Sequence, residues 1–386
     1  MLVGTMFGLW LSVGVTGSSA GVFRVDTCNR PDYQLALGPT IRGTPAASGW
    51  LYEQHNAGGV LQDDCSNGGP FQFWLEAGVK LRAGDFLGAV WTAAPDTRLV
   101  GFSLRWIASA DNSPLLGEGT SEVTLTTDRE TLVQARNQWD TTANSGAANL
   151  LTGALTDASR FEMRFTCLDA CTSRQTSWLR GWVSSASFDV RDDSAPAGGL
   201  IGPSVDARTW SGVTHLGFNA ADAGGGLYRA VLEVDGSEAA ALPLSRSPTC
   251  ADIGPDPNVA EFAAAQPCPM RIDGGTLDVD TRQLPQGEHS VRILLEDAAG
   301  NRSAIFGPVV RQIESERAIG PGSDPALRGA ANGDGATDGA RLSAHWGRRG
   351  SRTLLVSPFG RTHVVRGRLR TADGAPIADA VIDVVS

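Results

Sequence analysis

Trp50, Tyr52 and Trp139 are the residues of this chain best suited by type to meet a ligand. Trp50 and Tyr52 stand together in a Gly/Ser-flanked stretch read as a loop, and Trp139 lies in a polar one. Aromatic faces of this kind stack on the apolar C–H faces of sugar rings, while the indole N–H or phenol O–H keeps a polar handle. The three residues are therefore the candidate glycan platform. Seven of the ten tryptophans, Trp50, Trp74, Trp91, Trp106, Trp139, Trp178 and Trp182, fall within residues 21–191. The competing expectation is that most of these rings fill a core, because one indole buries a large apolar area.

Other chemistry is hard to place. There is no His-Glu-x-x-His and no phosphate-binding Gly-Lys-Ser/Thr loop. The five histidines, His55, His215, His289, His345 and His363, are scattered. A glycosidase needs only two carboxylates at the right separation, and 42 acidic residues supply many chance pairs. No pair is marked, so no catalytic residue, cofactor or metal is expected. Two stretches invite comparison with calcium sites. Asp222 and Asp297 could share an ion between glycine turns, but carboxylates in such turns usually accept backbone N–H groups. In Asn332-Gly-Asp-Gly-Ala-Thr-Asp338, taking Gly335 as the sixth loop position leaves Ala330 first and Arg341 twelfth, so the two strongest ligands are missing. That stretch reads as linker.

The net charge of −10 argues against nucleic acid as a partner. Residues 1–20 carry no charge, and the apolar run Met6 to Val15 followed by Thr16-Gly-Ser-Ser-Ala20 fits a signal peptide cleaved after Ala20. No Lys or Arg stands ahead of the run, and the alternative is a first strand of the next domain. The run is too short and too rich in glycine for a membrane span. Export suits an even set of six cysteines. Neighbour logic prefers structural disulfides Cys28–Cys65, Cys167–Cys171 and Cys250–Cys268 among the many pairings that six cysteines allow. The last would close a proline-rich insertion, Ala251 to Pro267, that is otherwise floppy.

These residues need elements to position them. Forty-seven glycines, twenty prolines and no long 3.6-residue periodicity predict many short strands joined by turns. Arg160 to Cys167 alternates, with Phe161, Met163, Phe165 and Cys167 on one face and charges on the other. Phe86–Trp91 and Leu99–Trp106 read as a hairpin about Ala94-Pro-Asp96, and Ser177–Val190 as a last long strand. Asp128 to Trp139 is the one stretch with mixed helical spacing. Together they predict a jelly-roll or lectin-like β-sandwich over 21–191. Beyond the Ser194-Ala-Pro196 linker, Leu284 to Asn301 reads as turn, alternating strand, turn. Gly287 and Gly300 supply its tight conformations, and Leu294 breaks the alternation, so both faces are expected to be partly covered.

Within 197–313, the acidic glycine turn Asp222 to Gly226, the strand end Val234-Asp-Gly236, and the pair Leu284-x-x-Gly-x-His289 and Asp297-x-Ala-Gly-Asn301 resemble a bacterial immunoglobulin-like domain. That resemblance implies a sandwich fold and is silent on ligand. After a flexible linker at 314–350, residues 351–386 resemble the start of a carboxypeptidase-regulatory-like domain. Gly367, Leu369, Asp373, Gly374, Pro376, Ile377, Ala380 and Val381 carry that likeness, and the domain is expected to be truncated, an incomplete third β-sandwich. The whole resembles secreted multidomain β-sandwich proteins of actinobacterial type. The expectation is an all-β, non-catalytic binding or adhesion protein, secreted or at the cell surface, recognising polysaccharide or cell-wall glycan through its first sandwich. The alternatives are a glycan-active hydrolase with accessory sandwiches, or a structural spacer. Two carboxylates roughly 5–10 Å apart on a concave sheet face would favour the hydrolase.

Overall fold

The computed structural model describes residues 21–29, 48–110, 117–136, 139–140, 150–174, 178–256, 258–314, 341–346 and 365–370. The expected signal peptide, the Asn332–Asp338 stretch, and Asp373 onward in the last segment lie outside them. Among the described residues every regular element is a strand or a short 3-10 turn. The chain divides into two units, 1–317 and 318–386.

Alternation builds the first sandwich. In the strand Phe71–Leu75, Phe71, Phe73 and Leu75 point inward and are fully buried, while Gln72 and Trp74 face out. The strand Arg160–Cys167 behaves the same way, with Phe161, Met163, Phe165 and Cys167 buried. Eight strands form one sheet, centred on Thr97–Ala110, Trp178–Asp192 and Gly21–Thr27. Five form the opposing sheet, in the order Thr131–Arg136, Ser121–Thr127, Arg160–Cys167, Phe86–Thr92, Trp50–His55. Their inner faces share one aromatic core.

Four expectations are corrected. Phe86–Thr92 and Thr97–Ala110 are not a hairpin, because the first pairs within the five-stranded sheet and the second within the eight-stranded one. The Ala94-Pro-Asp96 turn carries the chain between layers. Residues 128–139 hold the strand Thr131–Arg136 instead of a helix, and a register shift between Thr131 and Val133 explains the mixed spacing, since a bulge moves the alternation by one residue. Trp50 and Tyr52 lie on a strand, Trp50–His55, and not in a loop. A strand, Arg341–Trp346, falls inside the expected linker and pairs with Val365–Arg370.

The second sandwich sets a three-stranded sheet, Ala197–Ile201, Val213–Ala221 and Arg271–Asp280, against a five-stranded one containing Leu227–Val234, Gly287–Asp297 and Arg302–Glu314. Its core is chiefly Leu, Ile and Val around Trp210. The Asp235-Gly236 turn has both residues left-handed, at φ 51° and 80°, which is the twist that a two-residue hairpin needs. Leu294, on the outward parity of its strand, is nonetheless only 4% exposed, in line with two covered faces.

All three disulfides form with the preferred pairing, and no described cysteine is free. The Cys250–Cys268 loop does more than close on itself. Its Glu261–Phe262 pairs in parallel with Arg24–Val25, adding to the eight-stranded sheet of the first sandwich. Phe262 is 0% exposed and meets Phe23 and Tyr228 edge-on at 6.0 and 5.6 Å. The insertion of the second sandwich is thus packed into the core of the first.

Candidate functional site

Strand register assembles a patch on the outer face of the eight-stranded sheet. Directly opposed residues share a face. Gln62, Gln72, Trp182 and Ile107 therefore form one row across four strands, and Val60, Trp74 and Arg180 form the next. Gln62 is exposed and the other six are half-buried, so the two indoles lie along the sheet surface instead of within its core. A polar chain runs between them. Gln72 Nε2 donates to Gln62 Oε1 at 3.0 Å, and Arg180 Nη2 donates to Gln72 Oε1 at 2.5 Å. The Arg180 guanidinium carbon sits 4.9 Å from the Trp182 ring centroid, within cation–π range. Burial pushes the Arg180 pKa down. Trp74 Nε1 donates to Glu76 Oε1 at 3.1 Å. Trp182 Nε1 and Arg180 Nε have no hydrogen-bond partner.

The sequence-predicted platform does not assemble. Trp50 is 1% exposed, its Nε1 donates to Thr27 Oγ1 at 2.9 Å, and its ring packs on Phe71, Phe161 and Phe188. It opposes Trp91 on the inward parity of its strand, while its neighbour Leu51 is 44% exposed. Tyr52 shares that inward parity and is half-buried, its hydroxyl near Gln54 Oε1 at 3.3 Å and its pKa pushed up to about 12 by burial. Trp139 belongs to the other sheet, where its backbone pairs with that of Ala110. The signal for the outer patch was present in the alternation of Phe71-Gln-Phe-Trp-Leu75, which sends Trp74 outward as surely as it sends Phe73 in.

The outer face of the five-stranded sheet is different in kind. Glu53 and Glu162 both bond Arg160 Nη2, at 2.9 and 3.3 Å, and Arg164 pairs with Glu162 and lies 3.9 Å over the Phe86 ring. Two carboxylates are close, yet a guanidinium occupies the space between them.

A third cluster sits where the sandwiches meet. Asp192, Asp222 and Asp297 offer oxygens within 4.8 Å of one another. As turn carboxylates do, all three accept backbone N–H groups. Asp192 takes those of Ser194 and Gly225, Asp222 those of Gly224 and Gly226, and Asp297 those of Ala299 and Asn301. The glycine run is required by proximity, since a Cβ on Gly224 would fall 1.8 Å from Asp192 Oδ2. Burial, reinforced by the neighbouring carboxylates, raises the pKa of Asp192 and pushes that of Asp297 up to about 7. Asn301 ties the same turn to the linker, donating to the carbonyls of Asp192 and Ser194 and accepting from Gly21 N. Asp192 was not foreseen, because its partners lie far along the chain.

No protein-family profile matches the chain, and no curated protein matches it. Among solved structures it is similar to the fibronectin(III)-like modules of CbhA from Clostridium thermocellum, at 11% identity and a TM-score of 0.21, covering 62% of this chain and 88% of that one. It is also similar to the adhesin domain of Epf from Streptococcus pyogenes, at 6% identity and a TM-score of 0.20, covering 78% and 94%. The glycoside hydrolase domain of Endo-D from Streptococcus pneumoniae R6 aligns at 8% identity and a TM-score of 0.18, covering 68% of this chain and 37% of that one. The fold described above rests on the strand pairing itself.

Proposed function

We propose that this chain is a non-catalytic extracellular binding or adhesion protein that meets a glycan on the outer face of its eight-stranded sheet. The observation that carries the reading is the diagonal placement of Trp74 and Trp182 on adjacent strands, Trp74 opposite Arg180 and Trp182 opposite Gln72, with Gln62 beside Gln72. Indole faces suit the C–H face of a sugar, and amide and guanidinium groups suit its hydroxyls, which both donate and accept. Three closed disulfides fit an oxidising compartment, and no described helix is long and apolar enough to cross a membrane. The hydrolase reading would put its chemistry at Glu53 and Glu162, where Arg160 already bridges the two acids.

A polysaccharide and cell-wall glycan array probed with the full chain tests the proposal. Retention of at least one glycan is expected, weakened roughly tenfold or more in Trp74→Ala and Trp182→Ala, with each variant still folding cooperatively. A silent array, or binding indifferent to both substitutions, overturns it.

A further inference from the structure

The seam between the sandwiches holds a cleft of about 310 Å³, at the small end of the roughly 300–1,000 Å³ typical of ligand pockets. Three segments of the second domain build it: the strand Leu227–Val234, the turn after Asp297, and the disulfide-closed insertion. Val22 of the first sandwich completes the wall. Its polar groups are Tyr228, Arg229, Asp252, Asn258, Glu296 and Arg302.

The charges in this wall cancel, two guanidiniums against two carboxylates. A charged ligand would leave one charge unmatched in a partly desolvated site. Glu296, 4% exposed, is already committed. Its Oε1 accepts from Arg229 Nε at 2.7 Å and its Oε2 from Arg302 Nε at 2.5 Å, so it anchors both arginines. Other groups remain open. Among the described residues no hydrogen bond engages the Tyr228 hydroxyl, the second carboxylate oxygen of Asp252, the side-chain carbonyl of Asn258 or the terminal nitrogens of Arg229. Asp252 Oδ1 is held by the N–H groups of Gly254 and Glu261, and Asn258 Nδ2 by Asp256. What faces the cleft is a mixture of donors and acceptors with no net charge, the complement of a group whose hydroxyls do both. The Tyr228 ring is held edge-on against Phe262, and the Arg229 guanidinium lies 5.5 Å from its centroid. Recognition would therefore run through hydrogen bonds and not through ring stacking. The insertion is locked by Cys250–Cys268 and by Phe262, so the wall is preorganised.

We propose that this cleft is a second binding site, separate from the sheet face, that takes an uncharged polyhydroxylated group the size of a single sugar ring. Saturation-transfer NMR on the full chain tests it, with glucose, galactose, mannose and N-acetylglucosamine as probes, and glucuronate and glucosamine as charged counterparts. At least one neutral sugar should bind, more tightly than either charged probe. Tyr228→Phe and Asn258→Ala should each weaken it about five- to tenfold, while Glu122→Gln, on the five-stranded sheet and remote from both sites, leaves it unchanged. Silence from every neutral sugar, preference for a charged probe, or indifference to both cleft substitutions overturns the proposal. So does loss of the signal in Trp74→Ala, which would move the ligand to the sheet face. The sheet-face reading stands or falls separately, on the array and its tryptophan variants.

Discussion

The first sandwich is built around rings and the second around branched aliphatic chains. Trp50, Trp91, Phe23, Phe71, Phe73, Phe161, Phe165 and Phe188 fill the one, whereas Leu216, Leu232, Val291, Ile293 and Leu295 surround a single indole, Trp210, in the other. In an aromatic-rich domain residue type says little about role, because tryptophan is both filler and surface. Parity along the strand separates the two. In the second domain the informative feature is its irregular part, the insertion that crosses to its neighbour.

The sharpest way to break this comparison is to truncate one ring from each side of the same sandwich. Trp50→Ala should cost about 3–5 kcal/mol in denaturant unfolding, and Trp182→Ala less than about 1 kcal/mol, with glycan retention lost only in the second. Equal stability losses would refute the inward and outward assignment.

Next in size is the insertion. Replacing both Cys250 and Cys268 with serine should remove about 3 kcal/mol on the chain-entropy account. Hydrogen exchange should rise first at Arg24 N, which bonds the Ala260 carbonyl. If Arg24 stayed as protected as before, the insertion would not be what fastens the seam.

Acidity probes the same place. Asp297 releases its proton near 7 in the folded chain and near the ordinary carboxylate value, about 4, in the unfolded one. The folded state therefore holds more protons between those values, and stability falls as pH rises through that window, levelling off above it. A decrease of about 1–3 kcal/mol from pH 5 to pH 8 is expected. His289, whose pKa is raised by its bond to Asp235, acts in the same direction. The slope should persist in His289→Gln and flatten in Asp297→Asn; a slope that vanished with the histidine would remove Asp297 as its source. The smallest effect belongs to the surface pair Arg136–Glu122 at 2.8 Å, whose guanidinium is exposed, where Glu122→Gln should change thermal stability by less than about 1 kcal/mol.

Strands were legible wherever one face is buried without interruption, as in Arg160–Cys167 and in Gly287–Asp297 with its break at Leu294. The disulfides were legible because each joins near neighbours within one domain. Reading failed where a local irregularity counterfeits another pattern. The bulge at Thr131–Val133 shifts parity and imitates helical spacing, and the Ala94–Asp96 turn looks alike whether it closes a hairpin or crosses between sheets. Trp50 was misplaced because the flanking Ser48 and Gly49 suggested a loop, although its parity with buried neighbours puts it inside. Nothing local in Glu261–Phe262 marks it as the partner of Arg24–Val25, since that pairing depends on how two domains meet.

That two-residue pairing has a consequence for inheritance. Domains that recombine freely are closed objects, with their own edges covered and their own cores complete. Here the N-terminal strand of the first sandwich borrows its last hydrogen bonds, and Phe23 its ring partner, from a loop encoded more than two hundred positions later. A cut at Ser194-Ala-Pro196 would free a strand edge ready to pair with another chain. The two sandwiches are therefore one cassette, to be shuffled, expressed or grafted only as a whole.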